Sequence, residues 1–438
     1  MPVTPVSGTS PATLAAAGQT VAARRRGLYR GWPIALIASL ASGLTVGMTA
    51  YAFGVFVDPL EDEFGWSRTE VNLSLSLSVI SLLIGPLVGR WIDRFGSRPV
   101  MVGSLALIGI GFFLYAVMGE LWQFYAASLL LYAGLPGATM LPSGRLISIW
   151  FAGTRGRMMG IVTAGNNLGG LVMVPASTLI VGLAGWRVGY ASFGVVILLI
   201  AVVTALYVRD RQSDVIANRD KRWAPPFQDD DALGAAVGYS LRQVLRMKTF
   251  YFMAIGHAVP AFAYGAVLTQ LIPHLESKGF SSGAASSGVM LLAIFGVVSK
   301  LVFGRLSETI TARWAMSISL AIQSLGLLLL VAAGGSNAVW LVIVFFAMGF
   351  GAMGALIPLT VTEAFGLRHF GTILGVTSMV GAVPLVVGPM MAGIVFDAYG
   401  TYDVAFGIIA VMFLLGALSM AMARAPEPPG GRQSAGRN

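Results

Sequence analysis

The chain has 438 residues, 56% hydrophobic and 11% charged, with no cysteine and a formal net charge of +9. A soluble domain carries about 25% charged residues, so a soluble globular fold is excluded. Without cysteine, so are disulfides, thiolate catalysis and Cys-based metal sites.

The first 27 residues are rich in Ala, Ser, Thr and Pro and lack the apolar core of a cleaved signal peptide. They are expected to form a disordered cytoplasmic tail. Twelve apolar runs follow, over 32–57, 70–90, 99–119, 122–149, 156–182, 187–208, 249–273, 284–304, 313–333, 337–361, 369–395 and 402–423. Crossing a bilayer takes about 20 apolar residues. A backbone in lipid must satisfy its own hydrogen bonds, so each run is expected to be a helix. The alternation of a membrane β-barrel is absent from the sequence.

Helix 1 carries Tyr51 and Phe53 and ends at Asp58. Ser67-x-x-Glu70 has the form of a capping box opening helix 2. GRWIDRFGSRP (Gly89–Pro99) joins helices 2 and 3. Its Gly89 permits close helix packing. Asp93 is suited to a neighbouring helix N-terminus or to an arginine, with Arg145, near the inner end of helix 4, as the candidate partner. Tyr132 lies in helix 4, and Asn166 and Asn167 lie in helix 5, at depths where a central cavity is expected. The longest polar stretch, 209–248, then separates six runs from six. Helix 7 brings His257, Phe262 and Tyr264; helix 10 brings Phe345 and Phe346. Prolines 136, 142, 175, 358, 384 and 389 fall inside runs and are expected to bend them.

Helix 8 poses the sharpest question, because Lys300 interrupts LLAIFGVVSKLVFGRLSE (Leu291–Glu308). A charge at the centre of a membrane helix costs about 2.5–3.5 kcal/mol on insertion scales. Its stem could snorkel toward Arg305 and the interface. Alternatively, Lys300 faces a wet central cavity and attracts an anion. All nineteen Asp and Glu residues lie in loops or at the ends of runs, so a buried carboxylate proton relay is not expected.

The two sets of six runs match at an offset of 215 residues. Gly89-Arg90 meets Gly304-Arg305, Asp93 meets Glu308, and Gly134, Gly156, Gly160 and Gly185 meet Gly349, Gly371, Gly375 and Gly400. Duplicated six-helix units mark transporters built from parallel repeats. With both termini inside, 23 of the 28 Lys and Arg residues fall on the cytoplasmic side, as the positive-inside rule requires. The basic charge is thus a sign of topology and lipid contact, not of nucleic acid. The expected organisation is a tail (1–27), a six-helix bundle (28–208), a cytoplasmic loop (209–248), a second bundle (249–424) and a tail (425–438), in an inner membrane.

GRWIDRFGSRP resembles the hallmark loop of the major facilitator superfamily, G-x-L-A-D-R-x-G-R-K, through Gly89, Asp93, Arg94, Gly96 and Arg98. GWSRTE (Gly65–Glu70) and WFAGTRGRMMGIVTAGNNLGG (Trp150–Gly170) are similar to segments of its monocarboxylate and oxalate/formate transporter group. The resemblance implies an all-α membrane protein of twelve transmembrane helices in two pseudo-symmetric six-helix bundles. It implies a conformational latch of Gly89, Asp93, Arg94, Arg98 and Arg145, repeated at Gly304, Arg305 and Glu308. It also implies an arginine on helix 8 that binds the substrate carboxylate; here that position is Lys300, a point charge without the two-pronged grip of Arg.

The expected function is secondary active or facilitative transport of a small organic anion, a monocarboxylate, by alternating access, with or without a coupled proton or an exchanged anion, and with no cofactor. Lys300, Tyr51, Tyr132, Asn166, Asn167, His257 and Tyr264 are the candidate substrate contacts. The nearby phenylalanines suit a planar or aromatic acid. A transporter of a neutral planar solute such as a vitamin, and a non-transporting membrane sensor, are the alternatives. An enzyme would need a nucleophile–base pair or metal cluster within the runs, and ATP-driven pumping a G-x-x-x-x-G-K-[ST] loop; the sequence has neither.

Overall fold

The computed structural model describes residues 29–210 and 238–426, except the side chains of 263–265, 268 and 269. The expected tail 1–27, most of the loop 209–248, nearly all of the tail 425–438 and the Tyr264 side chain therefore lie outside the described residues. Helices dominate what is described, and the one backbone bridge outside them pairs Gly238 with Gly366.

The spans are α1 (Gly31–Tyr51), α2 (Arg68–Leu83 and Gly85–Phe95), α3 (Ser97–Val117), α4 (Leu121–Trp150), α7 (Lys248–Ser277), α8 (Ser282–Ile310), α9 (Ala312–Ala333), α10 (Val339–Phe365), α11 (Phe370–Tyr399) and α12 (Asp403–Met422). Between α4 and α7 runs a single 53-residue helix, Arg155–Tyr207, kinked at Gly185; its two arms are α5 (155–184) and α6 (186–207). Among the described residues, nine of these helices, or ten with the bent α2 pair, are long and apolar enough to cross a membrane. Division at Gly185 and the 30 residues of α7 complete twelve.

Breaks occur where the backbone is weakest. α2 bends by 46° just before Gly85-Pro86. α4 breaks at Thr139, between Pro136 and Pro142, and α11 at Gly381, three residues before Pro384. Proline removes a helix donor and crowds the preceding turn. Pro175, Pro358 and Pro389 lie within helices that continue unbroken through them.

The internal repeat is visible in the backbone. Gly185 and Gly400, 215 apart, both take positive φ (85° and 68°) at the turn that ends a span. Gly96 and Thr311 have the same relation (φ 91° and 76°), and Thr311 is the only non-glycine with positive φ among the described residues.

Large apolar side chains fill each half, with Phe56, Phe112, Phe124 and Phe193 buried in the first. The outside is also apolar: Leu183 and Leu341 are 79% and 77% exposed. A surface of this kind suits hydrocarbon, not water.

α1–α6 and α7–α12 meet along two seams, α2 against α11 and α5 against α8. Both are closed by glycine at the end carrying the Gly89–Pro99 loop. A Cβ on Gly89 would fall 2.0 Å from the Gly371 carbonyl oxygen, and one on Gly156 would fall 2.0 Å from that of Gly304. Only glycine permits such backbone contact.

Candidate functional site: a cavity between the two halves

Between the seams lies a cavity of about 540 Å³, the size of a small-molecule site. Both halves contribute to it. Tyr51, Asn166 and Asn167 come from the first and His257 and Lys300 from the second. Most of the remaining wall is aliphatic or glycine, including Val46, Leu82, Val289, Leu292, Gly296 and Gly354.

Lys300 is 8% exposed and does not snorkel. Its Nζ crosses the α5–α8 seam, donating to the Thr163 carbonyl at 3.0 Å and to Asn167 Oδ1. Its own carbonyl packs against Gly160, where a Cβ would come within 2.4 Å. No other cation, and no carboxylate, lines the cavity among the described residues.

The other polar groups are held by local bonds. Asn167 Nδ2 donates to the Ala293 carbonyl at 3.2 Å. Asn166 Oδ1 accepts from Ser42 Oγ at 2.7 Å. Thr360 Oγ1 donates to the Ile357 carbonyl and lies 2.9 Å from His257 Nε2. With the threonine proton so placed, His257 Nε2–H is the donor, which leaves Nδ1, buried and unpartnered, as an acceptor. Tyr51 ends the π-helical turn Gly47–Tyr51 and packs its ring on Gly170.

Tyr132 does not reach this site: it is 3% exposed, packed into the core of the first half and absent from the lining. Phe53, Phe262, Phe345 and Phe346 are absent from it too, and the ring on the second half's wall is Phe350. Asp58 is exposed and paired with Arg68, well outside the cavity.

At the loop-motif end the Asp93 carboxylate is 7% exposed. It accepts from the backbone N–H of Gly371 (2.9 Å) and Thr372 (2.8 Å), and from Thr372 Oγ1 (2.7 Å). It thus caps α11 of the opposite half, while Arg145 of its own half pairs with it at 3.2 Å. Glu308 repeats the device: it accepts from the Arg157 N–H at 2.8 Å and pairs with Arg157 Nε at 2.8 Å at the start of α5. Ser148 and Thr362 add a contact between the halves, Oγ to Oγ1, at 3.3 Å.

Like Arg145, the other three expected latch arginines make no hydrogen bond or ion pair across the halves among the described residues. Arg98 donates to the Ala205 carbonyl and its N–H to Asp210, within the first half. Arg94 stacks over Phe95, and Arg305 is exposed. Thr163 escaped sequence reasoning because its contribution is a backbone carbonyl, which no side-chain pattern signals.

The profile of the Major Facilitator Superfamily matches residues 36–389 and 298–438. The chain is 26% identical to monocarboxylate transporter 3 of Rattus norvegicus over 398 residues, covering 90% of this chain and 79% of the relative. It is 22% identical to monocarboxylate transporter 1 of Homo sapiens over 420 residues (88% and 83% covered). Among solved structures, the proton:xylose symporter XylE superposes with a TM-score of 0.68 at 16% identity, covering 90% of this chain and 95% of that one. The human organic anion transporter MFSD10 gives 0.65 at 18% identity, with 89% and 99% covered. The cavity between two repeat halves, the seams on either side of it and these matches establish that the chain belongs to the major facilitator superfamily and is a multi-pass membrane transporter of that fold.

Proposed function

We propose that the protein carries a small organic anion, a monocarboxylate, across an inner membrane by alternating access, with both termini cytoplasmic. The observation that carries this reading is Lys300, a buried ammonium on an otherwise uncharged cavity wall. Uncompensated, such a group is costly in a membrane, and a carboxylate is the ligand that compensates it. The named activity of the monocarboxylate transporter relatives agrees with that chemistry. The aliphatic wall accepts the organic part, and a single cation holds the anion weakly enough to let it go.

The units that move are 28–208 and 249–424. The loop-motif end, closed by Asp93 and Glu308, is the cytoplasmic end on the positive-inside rule. Since no carboxylate lines the cavity among the described residues, proton coupling would fall to His257, to Lys300 itself or to the substrate; exchange of one anion for another needs none of them.

Uptake of labelled lactate, oxalate, benzoate and riboflavin into proteoliposomes tests this. Lys300→Ala is expected to abolish anion uptake, and Lys300→Arg to retain it within about tenfold, since charge is kept and only geometry changes. Riboflavin uptake indifferent to Lys300 would overturn the anion reading in favour of a neutral solute. Binding without flux for every compound would favour a sensor.

A further inference from the structure

Asn167 grips α8 at two points. Its Oδ1 accepts from Lys300 Nζ, and its Nδ2 donates to the Ala293 carbonyl. Those residues are seven apart in sequence, or about two helical turns. An ammonium has three donors, and two of those on Lys300 are engaged by α5, at Thr163 and Asn167. One donor stays free, and a carboxylate that sets both its oxygens on Nζ must take that donor and one already held, displacing the side-chain amide oxygen of Asn167 more readily than the Thr163 backbone carbonyl. The amide is therefore an internal competitor for the site.

The equivalent seam of the repeat closes without this contact. At the offset of 215, Lys300 falls on Gly85 and Asn167 on Ala382. Gly85 closes the α2–α11 seam by backbone packing on Gly375. The two seams match at the loop-motif end and differ at the cavity, where only α5–α8 carries a charged clamp.

We propose that Asn167 is a substrate-exchanged clamp: a carboxylate oxygen replaces Oδ1 on Lys300 Nζ, frees the amide and loosens the α5–α8 seam only when the cavity is loaded. The loaded carrier then reorients faster than the empty one, so anion exchange across the bilayer outruns net uptake. The proposal rests on the carrier reading above, and one of its two tests therefore uses no anion.

The full chain, which has no cysteine of its own, receives Ser148→Cys and is reconstituted in proteoliposomes. Ser148 is 3% exposed and faces Thr362 of the other half, so a maleimide reaches it only when that end opens. Without anion, Asn167→Ala is expected to speed labelling at least about threefold, and Asn167→Asp, which sets a carboxylate beside Lys300, to slow it by a similar factor. With labelled lactate, Asn167→Ala is expected to lower the half-saturating concentration and bring net uptake up to the exchange rate. Asn167→Asp is expected to raise that concentration roughly tenfold.

Labelling of Asn167→Ala no faster than that of its parent overturns the clamp, whether or not lactate is carried. Loss of lactate affinity in Asn167→Ala, matching Lys300→Ala, overturns the competition and makes the amide a ligand of the anion. Should Asn167→Ala fail to accumulate, unchanged labelling of Asn167→Asp is enough to overturn the proposal. A parent that carries none of lactate, oxalate and benzoate refutes the substrate reading alone, and the labelling then decides the clamp.

Discussion

Two glycines pack against Lys300, and their tolerances differ. A Cβ on Gly160 would come within 2.4 Å of the Lys300 carbonyl oxygen, a backbone atom that cannot step aside. A Cβ on Gly354 would meet the Lys300 Cε at 3.6 Å and the Thr163 Cβ at 3.8 Å, ordinary van der Waals contacts. The first glycine sets how closely α5 approaches α8; the second only leaves room beside the ammonium stem. Gly160→Ala is therefore expected to force the seam apart, at an overpacking cost of about 1–3 kcal/mol, and to depress uptake and the melting temperature together. Gly354→Ala is expected to keep both near the parent's. Uptake and thermal unfolding in detergent check the pair, and equal damage from the two would show that the seam is not held by backbone contact. Lys300 itself stood out in the sequence because a charge inside an apolar run has few explanations. Its neighbours did not, since a glycine that closes a seam reads like a glycine that merely tolerates lipid.

Among the elements, the turn between α8 and α9 carries a cost that its repeat partner avoids. Gly96, between α2 and α3, has φ 91° and ψ 169°, a conformation nearly exclusive to glycine; Thr311 takes φ 76° and ψ 151° at the equivalent place. A β-branched residue there stores about 1–3 kcal/mol. The added freedom that glycine gives the unfolded chain offsets about 0.5–1 kcal/mol of any gain from replacing it. Thr311→Gly is expected to stabilise the protein by about 1 kcal/mol, raising the melting temperature by about 2 °C or more for a chain of this size; a fall would mean that the threonine is needed for something other than its backbone. The spans themselves were plain in the sequence, because twenty apolar residues in lipid leave the backbone no choice but helix. Breaks within them were plain only in part. Pro136 and Pro384 flank real breaks, yet α5 runs unbroken through Pro175. Whether a proline breaks a membrane helix depends on what re-satisfies the freed carbonyls, and that is tertiary. The candidate site shows the same division. Depth along a helix can be counted, and it brought Tyr51, Asn166, Asn167, His257 and Lys300 to one cavity. The direction a side chain faces cannot be counted, so Tyr132, at a suitable depth, is turned into its own bundle.

For the molecule as a whole, the duplicated latch makes the two seams a single mechanical question. Asp93 caps the first turn of α11 and Glu308 that of α5, each reaching from one half to a helix N-terminus of the other. A carboxylate at that position gains from the helix dipole as well as from its hydrogen bonds, by about 0.3–2 kcal/mol. If the halves move as rigid bodies, opening this end breaks both caps at once, and their contributions add in free energy. Asp93→Asn and Glu308→Gln keep an acceptor and remove the charge. Each alone is expected to shift the balance toward the open form by roughly twofold to thirtyfold, and the two together by the product of the single effects. Spin labels at Arg90→Cys and Arg368→Cys, exposed positions on opposite halves beside the α2–α11 seam, make this measurable. The parent should give one short distance, each single variant a minority long component, and the double variant mainly the long one. A double variant indistinguishable from the stronger single would mean that the seams yield separately, and rocking of two rigid bundles would have to be abandoned for local opening at one of them.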